Sequence, residues 1–432
     1  MPFQGVSLSL PDFSLFKFPP GTGAGWVPPP PPGTTSFAPP IAIPDHVYQA
    51  VLDPKVPITI AAVYAVTAKA LNSYNKSTGK KPWAISKTLA FRWFVIAHNI
   101  FLAVYSAWTW WGMFNALRRT MVSPMGPGGF AATVDSMCQI NGPKGFGDSI
   151  FWDEESSSWK TLSGGVLAES AAPSQFAAGR MWNEGLAFYG WLFYLSKFYE
   201  VFDTLIILAK GKLSSTLQTY HHAGAMMCMW AGVRYMSVPI WIFVFFNSFI
   251  HAIMYTYYSV TAFKIRVPMF IKRSLTSMQI TQFLVGGSGA MIHSFISYKI
   301  PVGAGSKTDA AASSASAVAN NSAAAAGGAS VKGAFEQKTM PCITSSGTTF
   351  AIWLNVFYLA PLTYLFVAFF IESYLRRSNA ASSKTKGSKG SDVATISEKA
   401  AWEAANGVKR EVYGESKESV KKANGRVLRN RQ

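Results

Sequence analysis

The adjacent histidines His221 and His222 lie in an otherwise apolar stretch, SSTLQTYHHAGAMMCMW. An imidazole is a nucleophile and a proton carrier near neutral pH, and a carboxylate or amide partner can hold it in one tautomer. Consecutive residues on a helix point about 100 degrees apart, so the two rings do not readily share one metal ion. The pair therefore indicates nucleophilic or acid-base chemistry. Spacing alone still leaves open a metal site formed by Glu200, Asp203, His221 and His251.

Further polar side chains recur at helical spacing in the neighbouring apolar segments. One set shares a helix face and consists of Lys197, Glu200, Asp203 and Thr204. A second set, at steps of four, four and three, consists of Asn247, His251, Tyr255 and Tyr258. Ionisable residues inside membrane segments are costly and are usually functional. Hydrogen bonding between helices is the structural alternative, but so many groups at one predicted depth favour a catalytic chamber.

The composition is that of a membrane protein. Of the 432 residues, 49% are hydrophobic, 14% are aromatic and only 14% are charged. The formal net charge is +18, but the basic residues lie in short clusters between apolar runs and in the C-terminal tail. This distribution is typical of membrane flanks and argues against a nucleic-acid partner.

Seven apolar segments are long enough to cross, or nearly cross, a bilayer as helices of about 20 residues. They run from 56 to 73, 89 to 116, 185 to 209, 217 to 236, 239 to 261, 275 to 297 and 348 to 374. Basic residues in alternate short loops predict that these loops and the tail are cytosolic. The N terminus and the two long loops are then predicted to lie outside or in a lumen.

Three parts are predicted along the chain. Residues 1–50 are Pro-rich and are expected to be mostly disordered, and residues 51–375 form the membrane domain, with a low-complexity loop at 303–333. Residues 376–432 form a basic cytosolic tail with 14 Lys or Arg and 6 Asp or Glu, also expected to be mostly disordered.

On this topology Cys138 and Cys342 both lie on the oxidising side of the membrane, where they could form a disulfide. Two unrelated free cysteines fit the sequence equally well. The three cysteines have no CxxC spacing, which argues against a zinc site of that type.

Five motifs, in order along the chain, resemble those of the ELO family of very-long-chain fatty acid elongases. They are HNIFLAVYS, LSKFYEVFDTLIILAKGK (similar to KxxExxDT), LQTYHHAGAM (the histidine box), NSFIHAIMYTYY (NxxxHxxMYxYY) and TSMQITQF (TxxQxxQF). The resemblance covers roughly residues 50–375. It implies an all-α membrane protein of the endoplasmic reticulum with seven transmembrane helices, six of which form an inverted barrel around an acyl-chain tunnel.

The resemblance also implies an activity: condensation of a long-chain fatty acyl-CoA with malonyl-CoA to 3-oxoacyl-CoA, carbon dioxide and CoA. In the ping-pong scheme of the family a box histidine forms an acyl-imidazole, which we assign to His221, with His222 as second candidate. His251 is expected to hold the malonyl thioester oxygen. The remaining expected catalytic residues, which orient imidazoles or balance charge, are Asp203, Glu200 and Lys197. The expected substrate-binding residues are Gln218, Asn247, Tyr255, Tyr258, Gln279, Gln282, His98 and Asn99.

One position departs from the usual HxxHH box, because Gln218 stands three residues before His221. Glutamine can hydrogen-bond an imidazole but cannot titrate, so this position need not exchange protons. A similar QxxHH box occurs among elongases that act on polyunsaturated acyl chains. The resemblance therefore favours that substrate class and leaves chain length open.

No cofactor is expected, only the substrates acyl-CoA and malonyl-CoA. The expected partners are membrane lipids and the reductases and dehydratase of the elongation cycle, and a homodimer is left open. One alternative is a membrane di-iron desaturase or hydroxylase, which needs about eight histidine ligands, whereas this chain has six histidines. Another is a lipid transporter that uses the same polar core without chemistry.

Overall fold

The computed structural model describes residues 5–21, 27–31, 33, 35, 37–161, 174–302 and 336–371. The low-complexity loop predicted at 303–333 and the basic tail predicted at 376–432 lie outside the described residues.

The described part of the chain is mostly helical. Its α-helices are α1 Asp45–Val51, α2 Lys55–Ser77, α3 Leu89–Thr120, α4 Gly129–Cys138, α5 Ala187–Tyr199, α6 Val201–Ala209, α7 Thr216–Arg234, α8 Ile240–Ala262, α9 Met269–His293 and α10 Ser346–Phe370. Short 3-10 turns lie at Phe13–Phe16 and Ala84–Lys87, and a π-helical turn at Trp182–Leu186 precedes α5. Each predicted apolar segment overlaps one of these helices or the pair α5 and α6.

Side-chain caps fix the beginnings of three long helices. Thr88, Ser215 and Ser345 each accept a hydrogen bond from a backbone N–H of the first turn of α3, α7 and α10, respectively. Along the chain, α3 packs on α8, α2 on α7, and α10 on both α7 and α9. This packing brings the polar faces of α6, α7, α8 and α9 together.

Among the described residues, α2, α3, α8 and α10 are long and apolar enough to cross a membrane. The segment predicted at 185–209 is interrupted, since α5 has 13 residues and α6 has 9. The helices α7 and α9 carry many of the polar side chains that the sequence analysis singled out. The chain is therefore a helical multi-pass membrane protein.

Two local features shape the segment predicted at 185–209. At its start the chain makes a π-helical turn in which Gly185 adopts a φ of 137°, a conformation that side chains other than glycine rarely allow. At its middle, Glu200 has helical φ but a ψ of −13°, and its carboxylate accepts a hydrogen bond from Ser196 Oγ one turn earlier. Glu200, which lies at this break, is buried.

Two small antiparallel sheets modify the predicted all-α class. One has the order β1–β4–β5, with strands Val6–Leu8, Ile296–Val302 and Glu336–Pro341. The other is the hairpin of β2, Ile150–Asp153, and β3, Ser158–Thr161. The segment predicted to continue to residue 297 leaves the helix at His293 because the residues after it alternate, with Tyr298 and Ile300 buried.

The N-terminal segment predicted to be mostly disordered is packed against the rest of the chain where it is described. Strand β1 pairs with β4, Val27 is fully buried, and its carbonyl accepts a hydrogen bond from Trp182 Nε1. Proline offers no backbone donor, so a Pro-rich stretch can be covered without leaving N–H groups unpaired. The partners of this segment lie far away in the sequence, which composition cannot reveal.

A disulfide bond joins Cys138 and Cys342, with an S–S distance of 2.08 Å. It lies in the part of the protein that consists of α4, the two sheets and their loops, which we call the extramembrane part. Cys138 ends α4 and Cys342 follows β5. The bond therefore connects the two long loops on one end of the helices, and Cys228 remains a buried free thiol.

Candidate active site

A cavity of about 700 Å³ opens between α6, α7, α8 and α9. The residues from the sequence prediction on its wall are Asn99, Glu200, Asp203, Gln218, His221, His222, His251, Tyr255, Tyr258, Gln279 and Gln282. Lysines 210, 212 and 272 line it as well. Imidazole, carboxylate, amide and hydroxyl groups from α3, α6, α7, α8 and α9 therefore line one cavity.

Glu200 is the centre of the charged cluster. Its Oε1 accepts hydrogen bonds from Lys197 Nζ at 2.7 Å and Ser196 Oγ at 3.1 Å, and lies 3.4 Å from His251 Nδ1. Its Oε2 lies 4.0 Å from His222 Nδ1, and neither atom has a hydrogen-bond partner among the described residues. The carboxylate therefore faces two histidines at once.

Lys197 connects this cluster to α8 and α9. Its ammonium group donates to Asn247 Oδ1 at 3.2 Å, and Asn247 Nδ2 donates to Gln282 Oε1 at 3.2 Å. The ammonium also lies over the Phe193 ring, 4.2 Å from the centroid. Lys197 and Asn247 line a second, apolar pocket rather than the large cavity.

Asp203 forms a separate hydrogen-bonded set. Its Oδ1 lies 2.8 Å from His98 Nε2, and its Oδ2 accepts from the Tyr255 hydroxyl at 2.6 Å. The His98 side chain is fully buried and stacks on Tyr199 with centroids 5.3 Å apart. His98 does not line the cavity but contacts Asp203, which does, and the substrate-binding role expected for it stays a prediction.

His221 lies at the junction of two cavities. It lines the 700 Å³ cavity and also an apolar pocket of about 40 Å³. Its Nδ1 lies 2.9 Å from the hydroxyl of Tyr358, and its Nε2 makes no hydrogen bond with the described residues. The rings of Phe283 and Phe366 lie 6.1 and 6.2 Å from the imidazole centroid. One nitrogen is thus held and the other is available at the boundary of polar and apolar space.

Sequence reasoning missed Tyr358, Phe283 and Phe366. Phe366 carries no chemical signal within an apolar helix, whereas Phe283 is the last residue of the TSMQITQF motif, from which no role was assigned to it. Tyr358 had a usable signal, because a tyrosine hydroxyl inside an apolar span needs a hydrogen-bond partner. No matching motif covers α10, so no partner could be assigned to it.

The other predicted residues differ in their contacts. Asn99 donates to the backbone carbonyl of Val95 at 2.8 Å, and Gln279 Nε2 lies 3.2 Å from the sulfur of Met254. Gln218 follows the Ser215 cap at the first turn of α7 and presents its side chain to the cavity wall. Within the described residues, no group of three or more His, Cys, Asp or Glu side chains is arranged to hold a metal ion. The metal site left open by the spacing therefore has no geometric support.

Fold and site together define a helical multi-pass membrane protein with a cavity lined by histidines and carboxylates. The sequence matches the model of the family described as ELO: GNS1/SUR4 family over residues 49–382. This match covers most of the chain, and the chain belongs to that family.

Curated relatives match over shorter stretches. Long chain fatty acid elongase 1 of Caenorhabditis elegans is 35% identical over 121 residues, which are 28% of this chain and 40% of the relative. Very long chain fatty acid elongase 6 of Drosophila melanogaster is 35% identical over 123 residues, which are 28% of this chain and 37% of the relative. Very long chain fatty acid elongase 3 of Homo sapiens is 36% identical over 106 residues, which are 24% and 38%. The chain thus spans about 40% of the length of these relatives.

Proposed function

We propose that this protein is a fatty acid elongase that condenses a long-chain fatty acyl-CoA with malonyl-CoA to 3-oxoacyl-CoA, carbon dioxide and CoA. The observation that carries the proposal is the setting of His221, whose Nδ1 is hydrogen-bonded while its Nε2 lies between a polar cavity and an apolar pocket. A nucleophile for an acyl thioester needs this combination, because the chain is apolar and the CoA is charged.

In the first half-reaction, His221 Nε2 attacks the thioester carbonyl carbon. The N–C bond forms, the C–S bond breaks, and the electron pair leaves on the CoA sulfur. In the second half-reaction malonyl-CoA loses carbon dioxide, and the resulting enolate carbon attacks the same carbonyl carbon. The N–C bond then breaks and its electron pair returns to Nε2, which restores the histidine.

In the proposed mechanism, His251 can hold the malonyl thioester oxygen in only one of its protonation states. When its Nδ1 donates to Glu200, a neutral ring has no proton left on Nε2. It can then hold a thioester oxygen as a donor only in its protonated form, for which the Glu200 carboxylate is a counter-ion. His222 faces the same carboxylate and has a free Nδ1, so it is the supporting imidazole of the pair.

The cavity also suits the charged part of CoA. Lysines 210, 212 and 272 lie on its wall and favour phosphate groups electrostatically. Lys264 and Arg266, between α8 and α9, and Arg273, in the first turns of α9, do not line the cavity. We therefore assign CoA binding to the three lysines and topology to the other basic residues.

We also propose the topology and location that are typical of the ELO family. They comprise seven transmembrane helices with six in an inverted barrel, the endoplasmic reticulum membrane, a lumenal N terminus and a cytosolic C terminus. The 3-oxoacyl-CoA product requires reduction, dehydration and a second reduction, so reductases and a dehydratase are the proposed partners. The four candidate spans support a multi-pass membrane protein, and the clustering of basic residues in short loops supports the proposed orientation.

A condensation assay tests the proposal. Purified full-length protein in liposomes is given linoleoyl-CoA and malonyl-CoA labelled in its free carboxyl group. Release of labelled carbon dioxide that depends on the acyl-CoA, together with a 3-oxoacyl-CoA product, is the expected result. A protein that binds acyl-CoA without releasing carbon dioxide would instead be a lipid carrier.

A further inference from the structure

Tyr358 makes two hydrogen-bond contacts with one residue. Its hydroxyl oxygen lies 2.9 Å from the Nδ1 atom of His221 and 2.9 Å from the backbone carbonyl oxygen of His221. A phenol has one hydrogen to donate, and a carbonyl oxygen can only accept. Both contacts are therefore satisfied only when Tyr358 donates to the carbonyl and Nδ1–H donates to Tyr358. In this arrangement the imidazole carries its proton on Nδ1 and its lone pair on Nε2.

The ring of Tyr358 is held by two other residues of α7. Tyr220 stacks on it with centroids 5.5 Å apart, and the Tyr220 hydroxyl donates to the Tyr358 carbonyl at 3.2 Å. A Cβ at Gly224 would lie only 2.2 Å from Tyr358 Cε2, so the absence of a side chain there allows the ring its position. Tyr220, His221 and Gly224 share one face of the helix, and α10 supplies the hydroxyl to it.

We propose that Tyr358 is a positioning residue that selects the nucleophilic tautomer of His221. The proposal rests on the proposed function, because it assigns the state of the histidine that attacks the acyl thioester. When Nε2 forms its bond to the acyl carbon and the CoA thiolate leaves, the ring becomes an acyl-imidazolium whose Nδ1 proton stays bonded to the Tyr358 oxygen. No proton has to move during the acylation step.

The sharpest variant is Tyr358→Phe, which keeps the ring and removes only the hydroxyl. In single-turnover experiments with linoleoyl-CoA, we expect the rate constant for acylation to fall about 10- to 100-fold, as is typical when the partner that orients a functional imidazole is removed. The acyl-CoA concentration that gives half the maximal rate should stay unchanged. Tyr220→Phe is the matched control, since it removes a hydroxyl next to Tyr358 that does not touch the imidazole.

Two further measurements separate positioning from general damage. Gly224→Ala displaces the Tyr358 ring without altering its hydroxyl and should slow acylation as well. In protein labelled with ¹⁵N-histidine, His221 should show a protonated Nδ1 and an unprotonated Nε2 in the wild type, and the proton should redistribute in Tyr358→Phe.

The results separate the role of Tyr358 from the elongase activity itself. If the wild type is acylated and Tyr358→Phe is acylated as fast, or if the ¹⁵N signals are the same in both, the role of Tyr358 is overturned and the elongase proposal stands. If the wild type neither forms an adduct nor releases carbon dioxide, the proposed function itself fails.

A second observation concerns the N-terminal segment, residues 8–18. Leu8, Leu10, Phe13 and Phe18 are between 72% and 83% exposed, although the segment is fixed by β1 and a short helical turn. Phe16 contacts the Trp353 ring and Phe18 contacts the Phe350 ring, with centroids 6.0 Å apart in each pair. The segment therefore lies beside the first turns of α10.

The helix α10 is one of the spans apolar enough to cross a membrane, and its outer surface exposes Phe357 to 70%. The Trp353 ring, which Phe16 contacts, also lies 5.8 Å from the Phe357 ring, so residues 8–18 lie next to this exposed apolar surface. We infer that residues 8–18 form an interfacial anchor that inserts into the membrane leaflet around the N-terminal end of α10. Asp12 and Lys17, both exposed, can keep their charges among the headgroups.

Nitroxide labels at Phe13→Cys and Phe18→Cys, in the full chain in liposomes, test this anchor. Val104→Cys, on an exposed apolar position of α3, is the lipid-facing control, and Glu155→Cys, in the β2–β3 turn, is the water-facing control. We expect oxygen to reach the Phe13 and Phe18 labels as it reaches Val104, with little access for a water-soluble nickel chelate. Access like that of Glu155, or dipolar broadening between labels of two copies, would overturn the inference.

Discussion

Two buried polar clusters in this protein differ in how completely their hydrogen bonds are formed. In the extramembrane part, the Arg180 guanidinium donates to Asp135 Oδ2 at 2.6 Å and to the carbonyls of Pro143, Gln139 and Gly145. The other Asp135 oxygen accepts from the Tyr298 hydroxyl at 2.9 Å. Burial, and next the Asp135 carboxylate, raise the pKa of Tyr298 well above its ordinary value, so it remains a donor.

The cavity cluster is different. Glu200 Oε2 and His222 Nδ1 line the cavity, are buried and have no hydrogen-bond partner among the described residues. Buried polar atoms without partners are costly, and the saturated Arg180 network shows that this chain can satisfy a buried charge when stability is all that is needed. The first cluster is therefore saturated by the protein itself, and we propose that the open positions of the second face a ligand.

The largest effect is expected from breaking the saturated cluster. Arg180→Met leaves the Asp135 carboxylate buried without its cation and should lower the free energy of unfolding by about 3–5 kcal/mol. Thermal unfolding in detergent measures this. Lys160→Met is the control, because the Lys160 side chain is 46% exposed and that of its partner Asp153 is 24% exposed, against 5% for Arg180 and 2% for Asp135. Equal losses in both variants would contradict the distinction between a saturated buried cluster and a surface pair.

Breaking the unsaturated cluster should affect rate more than stability. His222→Phe keeps a ring against Tyr64, with which His222 makes an edge contact at 6.1 Å, and removes a buried nitrogen that has no partner. We expect condensation to slow about 100-fold, as for loss of an assisting acid-base group, with unfolding unchanged within about 1 kcal/mol.

The matched control for that variant is His293→Phe. Its Nδ1 lies 2.6 Å from the Gly289 carbonyl, so this histidine is satisfied, and it does not line the cavity. This variant should lose about 1 kcal/mol of stability and keep its condensation rate. If His293→Phe slowed condensation and His222→Phe did not, the inference that the unpaired nitrogens serve the reaction would be wrong.

The smallest effect is expected at the β2–β3 hairpin, which lies outside the membrane segments. The Lys160 side chain, with Ser156, lowers the pKa of Asp153 from 3.8 to about 2. Because the folded pKa is the lower one, this stabilisation is complete above about pH 4 and is lost as pH falls towards 2. Hydrogen exchange of residues 150–161, corrected for intrinsic rates, should rise over that range, and Asp153→Asn should abolish the change.

Long apolar runs and the periodic polar faces were enough to predict the helices and the gathering of His221, His251 and Glu200 around one chamber. The sheets were not predictable in this way, because β1 pairs with a strand about 290 residues later, as at Val6 and Tyr298. The break at Glu200 was also missed, since periodicity continues across it. Tyr358 illustrates the same limit, because its role comes from the packing of α10 on α7.

The most direct test of the central claim is mass spectrometry of the intact protein after exposure to linoleoyl-CoA alone. We predict one acyl adduct, which peptide analysis maps to His221. The adduct should disappear when malonyl-CoA is added and should be absent in His221→Ala. His46→Ala, at an exposed position of α1, should form the adduct as the wild type does. An adduct on Cys228, or full condensation activity in His221→Ala, would contradict the account.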